Sequence, residues 1–139
     1  MSWLLDADVL SQPAKKNGDP RVVAWLETVR NECYTSSIVV AQLAYWVRTK
    51  SGKEREALQD WLRRFLSAFD GRVRGFTVAV AHVWADQQRA LEDAGVKMPI
   101  EDSYIAATAR RHNLIIATGN ERHFNCPGIR VFNPFRDSD

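Results

Sequence analysis

Acidic and amide side chains stand where two predicted strands end, and their types suit the binding of a cation. Asp6 and Asp8 follow the first apolar run, and Thr118 and Asn120 end or follow the run LIIAT. Asp102 lies near the start of a predicted helix. In open α/β sheets, ligands bind in the crevice beyond the carboxyl ends of the strands. We therefore expect these five side chains to surround one site.

The chemistry that this pattern favours is the binding of a hard divalent cation. Clustered carboxylates repel one another and raise one another's pKa, and a cation relieves that repulsion. Because all of the candidate ligand atoms are oxygens, Mg²⁺ or Mn²⁺ suits the site better than zinc. The alternative is that each aspartate only caps a helix or is a solvated charge in a loop. Asp6 fits that alternative least, because it ends an apolar strand.

Short apolar runs alternate with segments of helical periodicity along the chain. Strands are predicted at 3–5, 32–37, 71–76, 114–118 and 129–135. Helices are predicted at 18–31, 39–50, 53–69, 77–95 and 99–113. This alternation predicts one α/β domain with a central, mostly parallel sheet that is flanked by helices on both faces.

Composition indicates a globular protein of one domain. Of 139 residues, 45% are hydrophobic and 26% are charged, which is usual for a soluble chain. There is neither an export signal nor an apolar run long enough to span a membrane, so a cytoplasmic protein is expected. Cys33 and Cys126 lack metal-binding spacing and are expected to be reduced thiols. A formal net charge of +2 neither requires nor excludes a nucleic-acid partner.

Several segments resemble one known family. The stretch LLDADVLS resembles the opening LLDTNVLS of PIN-domain proteins of the VapC and FitB type. The segments VVAWL, EDSYIAATARRHNLIIAT, GN and VFNPF match the same group in the same order. The resemblance spans essentially the whole chain. It implies a PIN domain over residues 1–135, followed by a short tail, 136–139, that is expected to be frayed.

The resemblance also implies a function. Proteins of this group are toxins of type II toxin–antitoxin pairs and act as Mg²⁺- or Mn²⁺-dependent endoribonucleases, in which a metal-activated water hydrolyses an RNA phosphodiester bond. They usually form homodimers. A small cognate antitoxin holds them inactive, and that antitoxin also binds operator DNA. For this chain the resemblance therefore implies an antitoxin, RNA as substrate, and contact with DNA only through the antitoxin.

The family's acidic set carries over only in part. Asp6 and Asp102 match two of the metal-binding acids, and Asn120 is the amide at the fourth position, where the family has an acid or an amide. Gln42 stands where the family has glutamate. A glutamine offers a carbonyl oxygen but brings no charge. Asp6 and Asp102 are then the two carboxylates left from the set, which is enough for one Mg²⁺ that keeps several waters.

Neighbouring acids offer a way to restore the missing charge. Our hypothesis is that Asp8, which stands where the family has asparagine, compensates for Gln42, with Glu101 as a second adjacent acid. Thr118 is predicted to orient a site carboxylate or a water. The competing hypothesis is a weakened or inactive nuclease that acts mainly as an antitoxin-binding co-repressor. A third and weaker one is a structure-specific nuclease on the same fold.

Other polar and aromatic residues have plainer interpretations. His123 is interpreted as a surface histidine of the loop after Asn120, and Ser103 as a residue that solvates a helix start. Trp46 is assigned to the core, with an antitoxin groove or a protomer surface as alternatives. Lys50 is assigned to a solvated face, with contact to a phosphate as the alternative.

Overall fold

The protein, described here from a computed structural model, is built on one parallel sheet. The structure describes residues 1–137. Five parallel strands lie in the order β3-β2-β1-β4-β5. Their bounds are Trp3–Leu5 (β1), Cys33–Ser36 (β2), Val73–Arg74 (β3), Ile115–Ala117 (β4) and Val131–Phe132 (β5). The predicted α/β class and parallel sheet are confirmed, although all strands except the first are shorter than predicted.

Six helices connect and cover these strands. Their bounds are Ala7–Leu10 (α1), Pro20–Val29 (α2), Ser37–Arg48 (α3), Gly52–Ala68 (α4), Val78–Asp93 (α5) and Ile100–His112 (α6). The chain leaves β1 for β2 and β3 on one side and returns to β4 and β5 on the other. Since crossovers between parallel strands are right-handed, this reversal places helices on both faces. The switch point between β1 and β4 is the edge where α/β folds bind ligands.

The core forms where the strands meet the inner faces of the helices. Leu4 and Ile116 from the central strands are fully buried, and so are Ile105, Ala106 and Ala109 of α6. This face of α6 therefore packs against the sheet. Packing on that face fixes the start of α6 against the sheet, and this is what places Asp102 at the sheet edge.

Two local features differ from the expectations. The helix α1 has no counterpart among the predicted helices, because four residues are too few to show helical periodicity. Ser103 does not solvate the helix start, since it is 1% exposed. Its hydroxyl donates to the carbonyl of Ile100 at 2.5 Å and accepts from the indole N–H of Trp84 at 2.9 Å. Ser103 therefore ties α6 to α5.

The chain end is described as far as Asp137. Arg136 forms ion pairs with Glu121 at 2.7 Å and with Asp137 at 2.9 Å. The rest of the predicted frayed tail, residues 138–139, lies outside the described residues. Within residues 1–137, no helix is both long enough and apolar enough to cross a membrane.

Candidate active site

Asp6 lies at the carboxyl end of β1 and is held from two sides. The register pairs Leu5 of β1 with Ala117 of β4, so the next residue of each strand, Asp6 and Thr118, lie side by side. Asp6 Oδ1 accepts a hydrogen bond from the Ala7 backbone N–H at 2.8 Å, and Oδ2 accepts from the Thr118 hydroxyl at 2.8 Å. Asp6 therefore caps α1 as well as facing the site, and the contact predicted for Thr118 is present.

The environment of Asp6 disfavours its charge. The side chain is 6% exposed, and this burial raises the pKa of the carboxyl above its usual range. Hydrogen bonds from Thr118 and Ala7 and the nearby His123 oppose the rise only in part. A buried carboxylate of this kind gains strongly from a cation.

Asp8, in the first turn of α1, turns back toward the strand β4. Its Oδ2 accepts a hydrogen bond from the Gly119 backbone N–H at 2.8 Å. A Cβ at position 119 would lie 2.8 Å from that oxygen, so glycine allows the loop to close over Asp8. Asp8 Oδ1 is buried without a hydrogen-bond partner among residues 1–137. Burial and the charge of Asp6 raise the pKa of Asp8 to about 6.

Asp102 comes to the same edge from the first turn of α6. Its side chain is 14% exposed, and Oδ2 lies 3.2 Å from His123 Nδ1. Burial raises the pKa of Asp102, the charges of Asp6 and Glu101 raise it further, and His123 opposes them. His123 is partly exposed, with 43% of its side chain accessible, and in addition it contacts this carboxylate, which the surface interpretation did not include. No spacing in the sequence signals that contact, since it depends on where the loop after β4 packs.

Gln42 contacts Glu101, which was expected only as an adjacent acid. Its Nε2 donates a hydrogen bond to Glu101 Oε1 at 2.8 Å, joining α3 to the start of α6. Gln42 and Asp8 line the same cavity of about 190 Å³, but no hydrogen bond joins them in the described part of the chain. The Gln42 amide thus holds a carboxylate beside the site.

Asn120, the candidate residue after β4, is more exposed than the three aspartates. Asn120 is exposed, and its backbone N–H donates to the Thr118 hydroxyl at 3.0 Å. Its backbone carbonyl accepts from the His123 N–H at 3.0 Å. Its side chain makes no hydrogen bond to the carboxylates within the described residues. The structure therefore brings Asp6, Asp8 and Asp102 together and leaves the Asn120 amide at the rim.

The donor set fits a hard divalent cation. The groups that face the site are carboxylate oxygens, and the partnerless Asp8 Oδ1 is the kind of atom that a cation or its water satisfies. Within residues 1–137, no three His, Cys, Asp or Glu side chains form a ready-made cage. Mg²⁺ does not need one, because it commonly takes one or two carboxylates and keeps several waters.

Comparison with known proteins places the chain in a family. The model of the PIN domain matches residues 3–127. The chain belongs to the PIN-domain family. Toxin FitB from Neisseria gonorrhoeae is 36% identical to this PIN domain over 137 residues, which cover 96% of this chain and 99% of that protein. VapC ribonuclease Y4jK from Sinorhizobium fredii is 33% identical over 135 residues, covering 95% and 96% of the two chains.

A solved structure agrees with this assignment. The crystal structure of FitAcB from Neisseria gonorrhoeae superposes on the PIN domain described here with a TM-score of 0.89 and 35% sequence identity. The match covers 96% of this chain and 98% of that one. The PIN-domain assignment and the single α/β domain predicted from sequence are confirmed, while the roles of the individual site residues stay predictions.

Thr118 gives this PIN domain a sensitive test of how Asp6 is held. Thr118→Val keeps the shape of a fully buried side chain and removes the hydroxyl that donates to Asp6. Because residues that orient a ligand typically contribute about 10- to 100-fold to metal affinity, we expect Mn²⁺ binding to weaken by that factor. Calorimetric titration measures it, with Thr118→Ser as the matched control. Equal Mn²⁺ affinity in the valine and serine variants would show that Thr118 does not orient a ligand.

Proposed function

We propose that this PIN-domain protein is the toxin of a type II toxin–antitoxin pair and acts as a metal-dependent endoribonuclease. The observation that supports this most is that Asp6, Asp8 and Asp102 lie at the switch-point edge, where burial raises the pKa of all three and the charge of Asp6 raises those of Asp8 and Asp102 further. Further support comes from the names of two relatives, a toxin and a ribonuclease. The reaction is hydrolysis of RNA phosphodiester bonds.

In this proposal Asp6 and Asp102 hold Mg²⁺ or Mn²⁺. When bound, such a cation supplies an activated water and offsets the charge that develops on the phosphate oxygens. Asp8 adds negative charge behind that pair, and Thr118 fixes the orientation of Asp6. His123 orients Asp102 through its contact with Oδ2.

Two neutral side chains surround these acids. The side-chain oxygen of Gln42 has no hydrogen-bond partner within residues 1–137, while its amide nitrogen positions Glu101. Asn120 offers an amide from the exposed rim, where a substrate arrives. Both side chains bind or orient without adding charge, so the charge of the site comes from the aspartates and Glu101.

The partners in this proposal are those that the family resemblance implies. A cognate antitoxin holds the protein inactive in the cytoplasm, operator DNA is contacted through the antitoxin, and two copies form a homodimer. Exposed apolar side chains support the presence of a partner surface. Val78 is 77% exposed and Ile100 54% exposed, and they lie in segments flanking the contact of Phe76 with Tyr104, whose ring centroids are 4.9 Å apart.

The second candidate is a weakened nuclease that serves mainly as a co-repressor with its antitoxin. The neutral side chain at Gln42 favours it, because Gln42 stands where the family resemblance places a glutamate. Expression without the antitoxin separates the two candidates. An active nuclease arrests growth, whereas a pure co-repressor does not.

Cleavage of RNA by the purified, antitoxin-free protein tests the proposal. A mixed RNA substrate is incubated with Mg²⁺, with Mn²⁺ and with EDTA. We expect cleavage with either cation and none in EDTA. Folded protein that leaves the RNA intact with both cations would contradict the nuclease function and favour the co-repressor.

A further inference from the structure

An aromatic side chain with two lysines lies beside the carboxylates. Trp46 is one turn after Gln42 on α3, so the two side chains share a face of that helix. Both line the cavity of about 190 Å³ that also contains Asp8 and Lys15. The cavity therefore leads from the carboxylate cluster to the indole of Trp46.

Both lysines lie over the Trp46 ring, and neither forms a salt bridge within residues 1–137, although the charge of Lys15 acts on Asp8 from a longer distance. The Nζ atoms of Lys15 and Lys50 are each 5.9 Å from the centroid of the Trp46 ring, which is within the range of a cation–π contact. Neither ammonium pairs with a carboxylate within residues 1–137. Positive charge on flexible stems, next to an aromatic face, is the combination that binds single-stranded nucleic acid.

Packing alone accounts for only part of this arrangement. Trp46 packs against Trp61 of α4 in a T-shaped arrangement, with ring centroids 6.3 Å apart. The Trp46 side chain is half-buried and also lines the cavity. A purely structural tryptophan needs neither the open side nor the two unpaired ammonium groups.

We infer that Trp46, Lys15 and Lys50 form a nucleotide subsite that binds single-stranded RNA beside the cleaved bond. A base stacks on the indole in place of an ammonium, and the lysines move to the flanking phosphates. Every base has a π-face, so this subsite selects unpaired nucleotides more than a particular base. The inference rests on the proposed nuclease function, because it assigns that function's substrate to this cavity.

Binding in EDTA tests the subsite without any need for cleavage. The ligand is a fluorescent oligoribonucleotide, compared by anisotropy with an abasic strand that keeps the same phosphates. We expect the intact protein to prefer the strand with bases. In Trp46→Leu we expect roughly 5- to 150-fold weaker binding of that strand, as for the loss of one base stack, and little change with the abasic strand. Trp46→Phe is the matched control and retains most of the preference.

The lysines have a different expected signature. Lys15→Gln and Lys50→Gln should weaken the binding of both strands alike. Each should also reduce the slope of log affinity against log salt by about 0.7, as for the loss of one contact with a single-stranded phosphate. An unchanged salt slope in both variants would overturn the role of the lysines.

Two outcomes would overturn the subsite as a whole. One is an intact protein that binds both strands equally. The other is a folded Trp46→Leu variant that keeps the full preference for bases. That result would favour the antitoxin as the partner that binds this surface. If Trp46→Leu does not fold, quenching of tryptophan fluorescence by RNA in the parent protein, absent in Trp46→Phe, gives the same answer. Protein that prefers bases but never cuts RNA would contradict the nuclease function and keep the subsite.

Discussion

Asp102→Asn is expected to reduce RNA cleavage by more than about 100-fold. Residues that only orient a metal ligand contribute about 10- to 100-fold, and Asp102 is proposed to be a ligand itself. The substitution keeps the size and hydrogen-bonding shape of the side chain and removes its charge. The rate of cleavage of a defined oligoribonucleotide at saturating Mn²⁺ measures the effect.

His123→Gln is the control for that experiment, because it is expected to reduce cleavage less than Asp102→Asn does. His123 contacts Asp102 at 3.2 Å and is proposed only to orient it, so the loss of cleavage should stay within about 100-fold.

The Asp102→Asn variant should unfold no more easily than the parent protein in EDTA, because the substitution removes repulsion from Asp6 and Glu101. A folded Asp102→Asn variant that cuts RNA at the parent rate would exclude Asp102 from the metal site.

Asp8→Asn is expected to make the metal-free protein more stable and the nuclease weaker. The pKa of Asp8 is raised from 3.8 to about 6, so the folded protein holds this proton more tightly than the unfolded chain does. Stability from this group is therefore present at low pH and is lost as the pH rises from about 4 to about 6. At pH 7.5 the charged Asp8 costs about 3 kcal/mol as an upper figure.

Urea unfolding in EDTA measures the stability effect. Asp8→Asn should raise the free energy of unfolding by roughly 1–3 kcal/mol at pH 7.5 and change it little at pH 4. The same variant should bind Mn²⁺ about 10- to 100-fold more weakly if its charge compensates for Gln42. A variant with unchanged metal affinity and unchanged cleavage would exclude that compensation.

Glu101→Gln separates the two acids that could restore the missing charge. Glu101 is exposed and accepts the hydrogen bond from Gln42, so its loss should have little effect on stability. If Glu101 supplies the charge, Mn²⁺ affinity falls in this variant and stays unchanged in Asp8→Asn. If Asp8 supplies the charge, Mn²⁺ affinity falls in Asp8→Asn and stays unchanged in Glu101→Gln.

The fold and part of the site were predictable because their signals are local or follow from strand order. Each apolar run with its flanking helix is visible in the sequence, and α/β geometry then brings the carboxyl ends of neighbouring strands together. The contact between Asp6 and Thr118 follows directly, since β1 and β4 are adjacent and in register. The position of Asp102 was predictable because it lies in the first turn of α6, a helix whose apolar face packs against the sheet.

The remaining contacts depend on packing between elements that are distant in the sequence. The hydrogen bond from Gln42 to Glu101 joins residues 59 positions apart and requires α3 to meet the start of α6. The contact of His123 with Asp102 requires the loop after β4 to fold back over the site. Neither has a periodic or motif signal, because side-chain spacing reports only the faces of single elements.

Binding of Mn²⁺ to the purified protein, followed by electron paramagnetic resonance, tests the central claim most directly. That claim is that Asp6 and Asp102 hold a divalent cation at the edge between β1 and β4. We predict at least one bound Mn²⁺ per chain, which excess Mg²⁺ displaces. We also predict that the Asp102→Asn variant binds Mn²⁺ more weakly than the parent protein. Folded parent protein without bound Mn²⁺, or an Asp102→Asn variant that binds it equally well, would contradict the claim.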